Sequence, residues 1–404
     1  MDLLNEKFLK IGVESAPGQE TRQNTEEIKL PGEKLAGAPV DFSHGDVDAF
    51  APVPGALDVF TAGVHLGGRQ AYTEYRGSKS TREDAALKLA GFTGAAIDAD
   101  RNIIITPGTQ GALFLAMGAT VARGDKVAIV MPDYFANRKL VEFFDGETVP
   151  VQMNYFQTSD CAGLDLTQLE NAFKDGVKLF LFSNPNNPTG VIYSPAEIWA
   201  IADLAQKYGV FVIADELYSR QVFESRTYTH LCAQDRIDPE KVITIMGPSK
   251  TESLSGYRLG VAFGAAKIID RMEKLQAIVS LRAGGYSQAV LKCWFAEPQG
   301  WMSRRLAQHQ AIRDNLLLKL RAVDGIAVRT AEAGSYLFPS LPALGVTIQE
   351  FVKLLRLQAG VTVTPGTEFG SQFTRSFRIN FSQNHQAAVA AIDRLIQIME
   401  RHRQ

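Results

Sequence analysis

Lys178-Leu179-Phe180-Leu181-Phe182-Ser183 runs without interruption into Asn184-Pro185-Asn186-Asn187-Pro188-Thr189-Gly190. The first stretch is too short for a stable helix and too continuously apolar for a half-exposed strand, so it reads as a strand buried on both faces of a largely parallel sheet. The second is turn chemistry, in which Asn, Pro and Gly each favour a break in regular structure. The same grammar recurs downstream. Val210 to Ala214 (VFVIA) leads into Asp215-Glu216-Leu217-Tyr218, and Val242 to Met246 leads into Ser249-Lys250-Thr251-Glu252-Ser253-Leu254-Ser255-Gly256-Tyr257-Arg258. Upstream, strands are predicted at 102–106 and 126–130, with helices from Thr109, near Asn137 and from Pro195. Strand and helix in alternation define a doubly wound α/β sheet. Ligands in such sheets bind beyond the carboxyl ends of the strands. The amide cluster, the acid with its phenol, and the amine with its guanidinium are therefore expected to share one crevice.

Around this centre the chain offers further anchors. Ser194-Pro195-Ala196-Glu197 places a capping serine, a proline in the first turn and a glutamate three residues on, with Gly209 available as a stop. Val389, Ile392, Leu395, Ile396 and Met399 form one stripe of a C-terminal amphipathic helix. In Ser376-Phe377-Arg378-Ile379-Asn380-Phe381 apolar and polar residues alternate, so a strand buries Phe377, Ile379 and Phe381 on one face and turns Arg378 to the other. Residues 1–34 are polar and read as a short helix followed by a loosely held arm.

Composition narrows the class. A chain of 404 residues exceeds what one hydrophobic core usually serves, and 46% hydrophobic residues supply material for two. A formal net charge of −2 makes no electrostatic case for nucleic acid or an anionic membrane as partner. Three cysteines, Cys161, Cys232 and Cys293, are odd in number and widely spaced, which suits a reducing compartment and gives no zinc spacing. No metal ligand set is expected. The N-terminal segment has no uninterrupted apolar core, and no stretch approaches the roughly 18 apolar residues of a membrane span. A cytoplasmic protein is the expectation.

Taken singly, the polar residues have bland readings. A lone lysine is ordinarily solvated, an acid at a strand end is ordinarily a cap, and an arginine on an edge strand ordinarily faces water. Tyr134 in Pro132-Asp133-Tyr134 could be a core aromatic. Pro107-Gly108-Thr109-Gln110, between a strand and a helix start, could be small merely for packing, although free N–H groups there can also meet a phosphate.

In combination, NPNNPTG at 184–190, DELY at 215–218, SKTESLSGYRLG at 249–260 and SFRIN at 376–380 resemble the fold-type I pyridoxal-phosphate-dependent aminotransferases of class I/II. The resemblance runs from about Phe42 to the last helix. It implies an α/β large domain over 55–305 with a mostly parallel sheet, and a smaller α+β domain built from the N-terminal segment (1–54) and from 306–404. It implies pyridoxal 5'-phosphate as cofactor, tethered as a Schiff base to Lys250, which also moves the proton during transfer of an amino group from an L-amino acid to a 2-oxo acid. By the same resemblance Asp215 faces the ring nitrogen, Tyr218 and Asn187 the ring oxygen, and Tyr134 the ring plane. Gly108, Thr109, Gln110, Ser249 and Arg258 would cup the phosphate. Arg378 would clamp the substrate carboxylate, helped by Asn187 and by Gly45 in a closing loop. Tyr72 would cross from a neighbouring subunit to the phosphate, which implies a homodimer; Tyr75 is its rival.

The chain also departs from the family pattern. Gly247 stands where a second phosphate-binding serine is usual, and Glu252 occupies a position that is often apolar. His44, Arg282 and Tyr286 are possible lining residues, Arg282 answering an acidic substrate. A carbon–sulfur β-lyase or synthase on the same fold is the alternative activity. A non-catalytic cofactor-binding protein is a further one, disfavoured by the joint presence of Lys250, Asp215 and Arg378.

Overall fold

The computed structural model describes residues 2–12, 32–45, 47–157, 160–224 and 226–404. A helix spans Leu3–Ile11. The arm expected at 1–34 falls largely on residues 13–31, outside the described residues.

Among the described residues, seven strands form one sheet. Their order across it is Ile103–Pro107, Leu259–Gly264, Val242–Met246, Phe211–Asp215, Leu179–Ser183, Lys126–Met131 and Glu147–Gln152. All neighbours pair in parallel except Leu259–Gly264, which runs antiparallel to both of its partners. The apolar runs are buried end to end: every residue of Leu179–Ser183 and of Val242–Met246 is inside. Burial on both faces follows from helices on both sides. Ala112, Leu115 and Ile268 pack with Ile129 and Ile213 on one face, and Ile198 and Ile201 pack with Phe180 and Val212 on the other.

The single reversed strand matters for the site. Because Pro107 pairs with Leu259, the end of the first strand lies beside the start of the reversed one. Arg258, just before that start, thereby meets the Gly108–Thr120 helix at its N-terminus, on the edge where the parallel strands end.

The capping box at Ser194 forms as the sequence predicts, and Gly209 ends that helix in the left-handed conformation. Glu197 does more than cap, since its carboxylate also accepts from the backbone N–H groups of Ala162, Gly163 and Leu164.

A second, three-stranded antiparallel sheet orders Thr364–Pro365, Phe377–Asn380 and Tyr336–Leu337. Asn380 stands opposite Tyr336, and side chains alternate along a strand, so Arg378, Asn380 and Tyr336 share one face. Phe377, Ile379 and Phe381 face the other way, into a core with Phe42, Ile312 and Leu316 and with Ile392, Leu395 and Met399 of the helix His385–Arg401. No described helix is long and apolar enough to cross a membrane.

Candidate active site

A cleft of about 270 Å³ opens at the carboxyl edge of the large sheet, against the polar face of the small one. Thr109, Gln110, Tyr134, Asn187, Asp215, Tyr218, Ser249, Lys250, Arg258 and Arg378 all line it. They come from five separate strand ends and from the second sheet, which the parallel order brings to one edge.

Arg378 is 4% exposed, although it carries a permanent charge. Its Nη1 donates to Asn187 Oδ1 at 3.0 Å and its Nη2 to the Ser43 carbonyl at 2.9 Å. Its Nε is buried with no partner among the described atoms. A buried guanidinium with neutral partners and an unused donor is tuned to receive an anion. The Arg378 guanidinium also lies 4.4 Å from the centre of the Tyr336 ring.

Asp215 closes its strand with one side-chain oxygen accepting from Leu217 N–H at 3.2 Å. Burial pushes its carboxyl up to about 6, and the nearby Glu216 adds to the rise. A carboxylate held there gains from a cation placed beside it. Tyr218 O–H and Tyr336 O–H lie 2.6 Å apart. Tyr134 donates from its hydroxyl to Gln110 Oε1 at 3.1 Å.

Around the helix start at Gly108, space is tight. A side chain on Gly108 would begin 2.5 Å from an Arg258 nitrogen, and φ there is +78°. The departure at Gly247 has a steric reason, because a Cβ there would sit 2.9 Å from the Thr109 methyl. Ser249 donates to the Leu259 carbonyl at 3.3 Å.

Three expected residues lie elsewhere. Gly45 borders an adjoining hollow with His44, Ser253 and Ser382 that also reaches Lys250. Gly108 is buried at the start of its helix and does not line the cleft. Tyr72 is 80% exposed and does not reach the cleft of its own chain. Neither Arg282 nor Tyr286 lines this cleft; Arg282 instead stacks 5.3 Å from the rings of both Tyr72 and Tyr75.

Sequence reasoning missed Tyr336, Ser43 and the Asp133–Ser183 pair. Asp133 accepts from Tyr134 N–H at 2.6 Å and Ser183 N–H at 2.9 Å, and also from the Ser183 hydroxyl. Burial outweighs these bonds and pushes its carboxyl up to about 8. Asp133 thus ties the turn carrying Tyr134 to the loop carrying Asn187. Only its place after an apolar strand hinted at this.

Glu252 also acquires an account. It is fully buried and bonds Arg220, which reaches Glu297 at 2.7 Å as well. Two carboxyls share one guanidinium. Burial pushes the Glu252 carboxyl up to about 8, with Arg220 opposing and Glu297 reinforcing, whereas Glu297 is held below its usual range, its own burial penalty outweighed by Arg220. The two directions favour a proton on Glu252 rather than on Glu297. This bridge joins the loop after Tyr218 to the loop carrying Lys250. Because the folded carboxyl titrates above its ordinary 4.5, its contribution to stability is fully present below that pH and is lost as pH rises through about 8. Glu252→Gln is therefore expected to flatten the stability profile from pH 5 to 9. Its gain relative to wild type at the alkaline end should be on the order of a few kcal/mol. Parallel urea-unfolding profiles for the two proteins would contradict this assignment.

Among the described residues, no group of three or more His, Cys, Asp or Glu is placed to hold a metal.

A doubly wound sheet that gathers a lysine, an aspartate and a buried arginine at its carboxyl edge sets a candidate amine nucleophile beside a candidate anion site. Residues 44–395 match the family model "Aminotransferase class I and II", and the chain belongs to that family, whose members depend on pyridoxal phosphate; it is an aminotransferase. A solved structure of an aspartate aminotransferase from Rhodobacter sphaeroides 2.4.1 is 63% identical, with a TM-score of 0.94, covering 99% of this chain and 100% of that one. The curated aspartate aminotransferase of Musicola paradisiaca is 28% identical over 89% of this chain and 87% of its own length. An aromatic aminotransferase from Pyrococcus horikoshii OT3 shares the fold at a TM-score of 0.83 and 22% identity, covering 91% and 96% of the two chains.

Proposed function

We propose that the cleft holds pyridoxal 5'-phosphate on Lys250 and that the enzyme takes the amino group of a dicarboxylic L-amino acid, aspartate foremost, and passes it to a 2-oxo acid. The observation that carries this reading is Arg378, which lines the lysine cleft, is buried, is bonded only to neutral groups and keeps a buried Nε with no partner among the described atoms. The residues present also fit the cofactor. Asp215 is a buried carboxyl whose charge asks for a cation such as a protonated ring nitrogen. The Gly108–Thr120 helix start, Ser249 and Arg258 offer N–H, hydroxyl and guanidinium donors suited to a phosphate.

When bound, pyridoxal phosphate supplies an electron sink for the pair left when the α C–H bond breaks. The protein's residues do the rest. Arg378 binds the α-carboxylate as a fork and so orients the α-hydrogen. Lys250 Nζ takes that proton and returns it one step later, as general base and then general acid. Asp215 would hold the ring nitrogen protonated, Tyr218 and Asn187 would serve the ring oxygen, and Tyr134 would cover the ring face.

The choice of aspartate follows the similarity to the aspartate aminotransferases. Arg282 gives it a chemical basis: its Nε is buried and unpartnered, and its guanidinium packs on Tyr72 at an exposed surface. In a homodimer, Tyr72 would reach the phosphate of the neighbouring subunit and Arg282 its substrate's side-chain carboxylate. Three cysteines, odd in number and widely spaced, fit a cytoplasmic location.

Mixed with L-aspartate and no acceptor, the enzyme should release about one equivalent of 2-oxo acid per site and no ammonia. Continuous formation of pyruvate and ammonia from a β-substituted amino acid would favour a β-lyase instead. Arg282→Ala should lose its preference for aspartate over alanine by roughly tenfold or more, in line with 2–5 kcal/mol for a desolvated charge pair. An unchanged preference would place side-chain recognition elsewhere.

A further inference from the structure

The Tyr218–Tyr336 contact has a direction that the cofactor reading determines. Each phenol owns one proton. If Tyr218 spends its proton on the ring oxygen, the proton in the 2.6 Å contact must come from Tyr336. Tyr336 is well placed to give it. The residue is 4% exposed, lines the cleft, and is fixed by its strand pairing opposite Asn380 on the face that carries Arg378.

We propose that Tyr336 is a positioning residue whose hydroxyl donates to Tyr218 and thereby holds the Tyr218 proton on the cofactor's ring oxygen, while its ring fixes the plane of Arg378. This inference rests on the cofactor reading of the cleft. It links two tasks through one side chain: the hydroxyl serves the cofactor loop, and the ring face serves the carboxylate clamp at 4.4 Å.

Charged and polar groups from several elements face Tyr336. Arg378 and Lys250 bring positive charge, Asp215 negative charge, and Tyr134 and Tyr218 present phenols. Burial pushes the Tyr336 phenol up, but Arg378, Lys250 and the bond to Tyr218 together hold it below its ordinary value. Tyr218 is pushed well above, first by burial and then by Tyr336.

Tyr336→Phe removes only the hydroxyl. The ring contact to Tyr218, edge on at 5.4 Å and 75°, is available to phenylalanine too. The test is a pH titration of the visible absorption of the cofactor-loaded enzyme in wild type, Tyr336→Phe, Tyr218→Phe and the double variant. Hydrogen bonds in series strengthen one another, so loss of the Tyr336 hydroxyl weakens Tyr218's hold on the ionised ring oxygen. The expected result is a rise of about half a unit to one unit in the absorption midpoint of Tyr336→Phe. In the Tyr218→Phe background the same change should move the midpoint hardly at all, because the group it acts through is gone.

Equal shifts in both backgrounds, or an unmoved midpoint in Tyr336→Phe, would overturn the proposal. So would a Tyr336→Phe protein that melts like wild type yet takes up no cofactor. A wild type with no visible band would remove the cofactor reading itself, an outcome distinguishable from all of these.

Discussion

Lys250→Ala is expected to lower the rate of amino transfer by at least about 10⁴-fold, the upper range for a general acid–base group, because the same nitrogen anchors the cofactor and shuttles the proton. The loss should fall on kcat, and added substrate should not restore it. Stability should barely change, since Lys250 faces the cleft and contributes to none of the apolar cores. Single-turnover release of 2-oxo acid is the measurement. A variant that retains a hundredth of wild-type turnover would show that another group carries the proton.

Arg378→Ala is expected to lose about 2–5 kcal/mol of carboxylate recognition, read as a fall of roughly 30- to several-thousandfold in kcat/KM. Most of it should appear in KM. The magnitude is large because the guanidinium is buried, and removing it strands Asn187 Oδ1 and the Ser43 carbonyl without their donor. Arg378→Lys should recover little, because an ammonium cannot offer a planar fork. Amino-acid titrations of the two variants check this, and a KM within threefold of wild type in Arg378→Ala would relocate the clamp.

The parallel sheet was legible because Leu179–Ser183 and Val242–Met246 are buried on both faces, a demand that writes continuous apolar runs into the chain. Polar residues that end such runs were legible for the same reason. Asp215 and Lys250 interrupt or follow a strand where packing alone would not ask for charge. Arg378 could be read from the alternation of 376–381, which set it opposite Phe377 and Ile379.

What stayed hidden depends on pairing between distant segments. Tyr336 belongs to a two-residue strand with no motif of its own, and only its register against Asn380 turns it toward Arg378. Glu252 looked anomalous beside Lys250 because Arg220 lies 32 positions before it, and Glu297, which shares that arginine, lies 77 positions from Arg220. Asp133 carried no role in the sequence, because its partner Ser183 lies 50 positions away. Tyr72 and Arg282 project from an exposed face, so the reading that gives them work requires a second subunit.

The central claim is that a single ε-nitrogen holds the cofactor. Reduction of the loaded enzyme with borohydride, followed by proteolysis and mass mapping, should find the pyridoxyl group on the peptide containing Lys250 and on no other. Label on a different lysine, or a protein that takes up no pyridoxal phosphate to be reduced, would contradict it.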